Sequence, residues 1–184
     1  MELSHGRTEN ARAAGWYDDA ARRARESGQC IFCNPKEKYV VTHDHGWYLT
    51  TNIFPRSKAN LLVIPERHIE HVNDLTPEDA VAKQRLEQLG QNLLEEAYGI
   101  TDIWFLLRDG KGGEAAGKTV AHLHSHIMGY YHGVLLWESD RAYPERVHRT
   151  PEEAGMPILP AVEVAHTLRE ALETRKELGL YGNR

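Results

Sequence analysis

Residues 120–128 read Val-Ala-His-Leu-His-Ser-His-Ile-Met, with three histidines spaced two apart among apolar residues. Alternation of this kind has the period of a β-strand, so His122, His124 and His126 are expected on one face and Leu123, Ser125 and Ile127 on the other. A helix would scatter the three rings. Three imidazoles on one strand face suit metal binding, since neutral imidazole ligates zinc, copper and iron. They suit equally well nucleophilic catalysis on phosphorus, in which one ring attacks while a neighbour handles the protons. The plainer alternative, half-buried histidines with satisfied hydrogen bonds, is strong for one histidine and weak for three in register.

What precedes this stretch favours phosphate chemistry. Residues 101–108 read as another strand, and residues 109–117, Asp-Gly-Lys-Gly-Gly-Glu-Ala-Ala-Gly, as a glycine-rich loop delivered into Lys118, Thr119 and Val120. Gly112 to Thr119 match the P-loop pattern letter for letter, but a P-loop needs a helix after its Lys-Thr and here a strand follows. The composition still places backbone N–H groups and Lys118 near a phosphate.

Upstream, Asn52-Ile53-Phe54-Pro55, the run Leu61 to His68 and Asn73-Asp74-Leu75 join Gly117-Lys118-Thr119-Val120 and the three histidines in a pattern that resembles the histidine triad (HIT) superfamily of nucleotidyl hydrolases and transferases. The matches cover roughly residues 30–128, and motif and context agree. The resemblance implies an α+β HIT-like fold: an antiparallel sheet of about five strands covered by a long helix, here with N- and C-terminal helical extensions. It implies a homodimer. It also implies that His124 attacks the α-phosphorus of a nucleotide, that His126 serves the leaving group, and that the carbonyl of His122 fixes the tautomer of His124. Asn52 and Ile53 would hold the ribose and the base, while Lys118, Thr119 and loop N–H groups would hold the phosphates. Arg108 stands where relatives commonly have Asn or Gln, and a guanidinium there suits a further phosphate, as in a dinucleoside polyphosphate. A second departure is Ala59-Asn60, where many relatives have Gly-His.

Cys30 and Cys33 are the only cysteines, in a C-x-x-C that in a cytoplasmic chain is more often metal-binding or redox-active than disulfide-bonded. Asn34-Pro35 follows at once, which argues against a thioredoxin-like helix. Several HIT relatives, the galactose-1-phosphate uridylyltransferases among them, resemble this chain in having ligands at Cys30, Cys33, His68 and His122, which implies structural Zn2+. His71 rivals His68, three residues away on an expected short helical turn. Two rivals of other classes are a non-catalytic, zinc-stabilised nucleotide-binding or interaction protein on the same fold, and a single metal held by all three triad histidines.

With 184 residues, 41% hydrophobic and 27% charged, the chain is expected to form one globular domain, residues 30–137, flanked by extensions at 1–29 and 138–184. A formal net charge of -5 gives no case for nucleic acid or an anionic membrane, and without a signal peptide or spanning run the expected location is the cytoplasm. Residues 10–27 favour helix. Residues 38–42 and 47–51 read as a hairpin around His43-Asp44-His45-Gly46, with both histidines in solvent. Leu61 to Pro65 suits a central strand. Thr76-Pro77-Glu78-Asp79 opens an amphipathic helix over residues 77–98, stopped by Gly99. Tyr130, Tyr131, His132 and Trp137 are candidates for a nucleotide or subunit contact, His148 and His166 read as surface residues, and a helix is expected over 161–178. Its proline-spaced lead from Pro157 resembles the tail of bacterial diadenosine-polyphosphate phosphorylases.

Overall fold

A computed structural model describes residues 26–53, 59–110, 120–129 and 159–180. Strands β1 (Val40–Asp44), β2 (Trp47–Thr51), β3 (Asn60–Pro65), β4 (Ile103–Arg108) and β5 (His124–Gly129) form one antiparallel sheet in the order β1-β2-β3-β5-β4. This is the α+β architecture expected. β5 thus lies between β3 and β4, and among the described residues β4 is an edge strand.

The hairpin is tighter than expected. Asp44 pairs with Trp47, so the turn is His45-Gly46 alone, with φ of 46° and 77°. Positive φ at both central residues matches the right-handed twist of the flanking strands, which draws His43 and Asp44 into β1. Lys38 and Tyr39 instead belong to a 3-10 turn, Glu37–Tyr39, and the carbonyl of Tyr39 accepts from the hydroxyl of Thr50 at 2.9 Å. His43 and His45 are solvent-facing as expected, with His43 Nδ1 2.7 Å from Glu66 Oε1.

Helix α1 (Pro77–Tyr98) begins in a capping box between Thr76 and Asp79 and ends at Gly99 in the left-handed conformation, as the sequence predicts. Its buried Leu86, Leu89, Leu93 and Leu94 pack on Leu49, Leu61, Val63 and Ile127 from the sheet. At Gly90 a Cβ would stand 2.5 Å from Ile127 Cδ1, so any larger residue would force the Ile127 side chain to shift where the helix meets β5.

Helix α2 (Ala161–Glu177), expected as part of an extension, sends Val164, Leu168 and Leu172 into the same core. Arg169 Nη1 donates to the Val40 carbonyl at 2.7 Å, which ties α2 to β1. The opposite face of the sheet carries a smaller apolar cluster of Val40, Tyr48, Leu62 and Ile64, with Phe32 packed on it. Strand alternation puts His124 and His126 on that second face, since Ile127 faces α1. The expected helix at 10–27 lies outside the described residues, apart from its last positions.

Candidate active site and metal centre

β5 opens at His124, four residues later than strict alternation over 120–128 would have it. Residues 120–122 form a bend, in which His122 N donates to the Val120 carbonyl at 2.9 Å, and Leu123 N then donates to Ile69 at 2.7 Å. The faces nevertheless alternate as expected: Leu123 and Ile127 enter the main core, and the Ser125 hydroxyl donates to Glu87 of α1 at 2.6 Å. His122 leaves the ladder because its side chain is held elsewhere. It is fully buried, its Nε2 lies 2.9 Å from the Pro65 carbonyl, and its Nδ1 lies 3.2 Å from Cys30 Sγ and 3.6 Å from Cys33 Sγ.

A carbonyl only accepts, so Nε2 of His122 carries the proton and Nδ1 presents a lone pair to the two sulfurs. That is the state in which a histidine ligates a metal, with its second nitrogen oriented by a backbone carbonyl. His68 Nδ1 stands 3.3 Å from Cys33 Sγ, and the ligand atoms of Cys30, Cys33, His68 and His122 all lie within 4.8 Å of one another. Two thiols and two imidazoles at this spacing suit a tetrahedral structural zinc site. Among the described residues no other such cluster occurs, so the triad histidines do not converge as one metal site. His71 points elsewhere, with Nδ1 3.8 Å from Asp109 Oδ2. Nor do His68 and His71 share a helical turn: residues 68–71 are irregular, and the 3-10 turn is Val72–Asp74.

Burial pushes the Cys33 thiol up to about 11, and the adjacent Cys30 thiol adds to the rise by hydrogen bonding and charge repulsion. A bound cation reverses this logic, because a coordinating thiol is deprotonated outright.

The same reasoning fixes His124. Its Nδ1 donates to the His122 carbonyl at 2.7 Å, so Nε2 is the unprotonated nitrogen. His124 is 6% exposed, and His126 lies beside it with ring centroids 5.1 Å apart. Phe32 meets both rings edge-on, at 5.0 Å from His124 and 5.8 Å from His122. Its carbonyl accepts from the buried Tyr48 hydroxyl at 2.7 Å, and burial raises the Tyr48 pKa, followed by the charges of the nearby cysteines and Glu66. In the sequence Phe32 is marked only as a spacer position of the C-x-x-C, and a C-x-x-C that closes on the first triad histidine brings its spacers there as well.

Arg108 ends β4 in register with His124 and is half-buried. Asn52 follows β2 and is half-buried; Ile53 beside it is 45% exposed, not core. Asp109 and Gly110, the first two residues of the glycine-rich loop, are clamped: Asp109 Oδ1 accepts from Val72 N at 2.7 Å, and Gly110 N donates to the Glu70 carbonyl at 2.8 Å. Phe54, Lys118, Thr119, Tyr130, Tyr131, His132, Trp137 and His148 lie outside the described residues. His166 is exposed on α2, as expected.

A family model described as Scavenger mRNA decapping enzyme C-term binding matches residues 28–137. Protein HitA of Neisseria gonorrhoeae is 33% identical over 105 residues, which are 54% of this chain and 94% of that protein. The bis(5'-adenosyl)-triphosphatase of Dictyostelium discoideum is 33% identical over 81 residues, 44% of this chain and 52% of that protein, so the chain spans about half of that relative. A Zn-bound histidine triad family protein from Mycobacterium smegmatis shares the fold, with a TM-score of 0.56 at 21% identity over 83% of this chain and 99% of that one. The chain belongs to the scavenger decapping enzyme C-terminal family, within the histidine triad superfamily.

Proposed function

We propose that the protein is an enzyme, a nucleotidyl hydrolase or transferase that works at the α-phosphate of a nucleotide through a covalent intermediate on His124. The observation that carries this reading is the 2.7 Å bond from His124 Nδ1 to the His122 carbonyl, which makes Nε2 the nucleophilic nitrogen. Nε2 attacks the α-phosphorus as the bond to the bridging oxygen breaks. His126, adjacent to His124, gives the departing oxygen its proton. The product is a phosphoramidate on His124. Water or another acceptor then attacks the same phosphorus, its proton passes to a base, and Nε2 leaves neutral. Lys118, Thr119 and the loop N–H groups stabilise the charge on the phosphate oxygens.

The triphosphatase of Dictyostelium discoideum, by its name, acts on a bis-adenosyl triphosphate, and Arg108 in register with His124 suits the added phosphates of such a substrate. Zn2+ at Cys30, Cys33, His68 and His122 would supply a structural tie. Domain limits at residues 30–137, with α2 closing the core from the C-terminal side, complete the reading. The exposed Phe105 and Leu107 on edge strand β4 favour a homodimer, in which a second copy would cover them. Two free thiols suit a cytoplasmic location; no helix among the described residues is long and apolar enough to cross a membrane.

The test is intact-protein mass spectrometry after incubation with a nucleotide panel. An adduct of one nucleoside monophosphate is expected, mapping to His124 and absent from His124→Ala. Wild-type turnover by His124→Ala would refute the assignment.

A further inference from the structure

Asn60 is 1% exposed at the start of β3, where many relatives have histidine. Its Nδ2 donates to the carbonyls of Leu61 at 3.1 Å and Ile127 at 3.0 Å. Both partners only accept, so the amide has one possible orientation: a flip would set Oδ1 against two carbonyl oxygens. Oδ1 therefore faces Asn52, and Asn52 Nδ2 donates to it at 2.7 Å. A flip of Asn52 would in turn bring oxygen against oxygen at that distance. Burial keeps water from mediating, and the Asn52 backbone N–H is pinned to the Asn60 carbonyl at 2.8 Å.

We infer that Asn60 is a positioning residue that sets sugar specificity: it directs the Asn52 amide so that its carbonyl oxygen accepts from the ribose hydroxyls of the substrate. The inference rests on the nucleotide reading above, with Asn52 at the sugar. Two lone pairs on Oδ1 let it take a hydroxyl beside any other donor. A ribonucleotide then makes a bond to this oxygen that its deoxy analogue cannot make. The histidine of relatives, with one donor and one acceptor nitrogen, can replace both functions of Asn60.

The experiment is calorimetric binding of adenosine 5'-monophosphate and its 2'-deoxy and 3'-deoxy analogues to the full chain, with KM and kcat for the ribonucleotide substrate. Wild type should favour the ribonucleotide about tenfold over at least one deoxy analogue. Asn60→Leu should bring that ratio close to one, raising KM with kcat little changed, and Asn60→His should restore it. Melting curves identify a variant that fails to fold. If Asn60→Leu does not fold, Asn60→Ala serves, since it too removes the acceptor that orients the Asn52 amide, and the ratio should fall likewise. A folded Asn60→Leu or Asn60→Ala that keeps the full preference, while Asn52→Ala abolishes it, overturns the role of Asn60 alone. No preference in wild type, or an undiminished one in Asn52→Ala, overturns the assignment of Asn52 with it.

Discussion

Glu87 is the most exacting element of the seam between α1 and β5. It is 4% exposed, and its Oε1 lies 2.6 Å from both the Ser125 hydroxyl and Lys83 Nζ. A buried carboxylate is tolerated only while it is paired and hydrogen-bonded. Ser125→Ala removes one hydrogen bond to a charged group, worth about 1.5 to 3 kcal/mol. Lys83→Met removes the counter-charge, a loss of about 3 to 5 kcal/mol for a fully buried pair. The Lys83 side chain keeps 19% of its surface exposed, so screening should bring this to about 2 to 3 kcal/mol. At roughly 2 to 4 °C per kcal/mol for a chain of this size, Lys83→Met should lower Tm by about 4 to 12 °C.

The triple variant Lys83→Met/Glu87→Leu/Ser125→Ala should behave oppositely. It removes the charge, its partner and the hydroxyl together, and such replacements by apolar residues range from neutral to about 4 kcal/mol stabilising. Urea and thermal denaturation followed by circular dichroism measure all three. A triple variant at least as unstable as Lys83→Met would refute the reasoning, since it would show that volume and not the carboxylate governs the seam. Ser125 faces α1 while its neighbours face the site, so a triple variant that folds should keep most of its turnover.

Acid stability should depend on Asp79. Burial pushes this carboxyl up, but hydrogen bonds from the Thr76 backbone, Arg67 and Trp47, with the Arg67 charge, outweigh it and lower the pKa from 3.8 to about 2. A depressed folded pKa gives stability that is present above the unfolded value and lost as pH falls through about 2, so urea midpoints of Asp79→Asn should vary less than wild type between pH 4 and 2. The metal reading predicts close to one zinc per chain by mass-spectrometric metal analysis, reduced together with Tm in Cys33→Ser and in His68→Ala, but retained in His71→Ala. Retention of full zinc by Cys30→Ser/Cys33→Ser would exclude the site. Arg108→Gln should reduce kcat/KM for a dinucleoside polyphosphate by about ten- to a hundredfold and for a nucleoside phosphoramidate much less. Equal losses on the two substrates would mean that Arg108 merely supports the loop.

The features legible in the sequence are those whose causes are local. The capping box at Thr76 and Asp79, the leucine spacing of α1 and the stop at Gly99 each depend on residues within a turn or two, and all three appear as read. The alternation around the histidines likewise sorted core from site. Features that depend on distant partners were harder to see. Phe32 meets His124 only because the cysteines on either side of it reach His122, and Cys30 meets His122 across 92 residues. Asn60 reads in the sequence only as a departure from pattern, and its role stays hidden because its side-chain partners come from its own strand, the residue after β2 and β5. Glu87 hid in a helix otherwise rich in exposed charge. The clue was Ser125, a hydroxyl on the core face that had to find a partner. Residues 38 and 39 left the hairpin for a related reason: the Tyr39 carbonyl serves the Thr50 hydroxyl.

The bend at residues 120–122 is where these distant constraints meet. A residue within a sheet ladder commits its carbonyl to a neighbouring strand. By leaving the ladder, His122 directs its carbonyl to the ring of His124, two residues on in the same chain. The same bend lets its buried ring reach from Pro65 to the two cysteines, and Phe32, held between those cysteines, packs on both histidines. One residue thereby sets the tautomer of His124 and joins it to the cysteine-histidine cluster. Misplacement of the cluster would be transmitted to His124 through the His122 carbonyl and the Phe32 ring, and angstrom-scale displacement of a reacting group is enough to cost orders of magnitude in rate. A structural metal at that position would therefore affect turnover without touching the substrate.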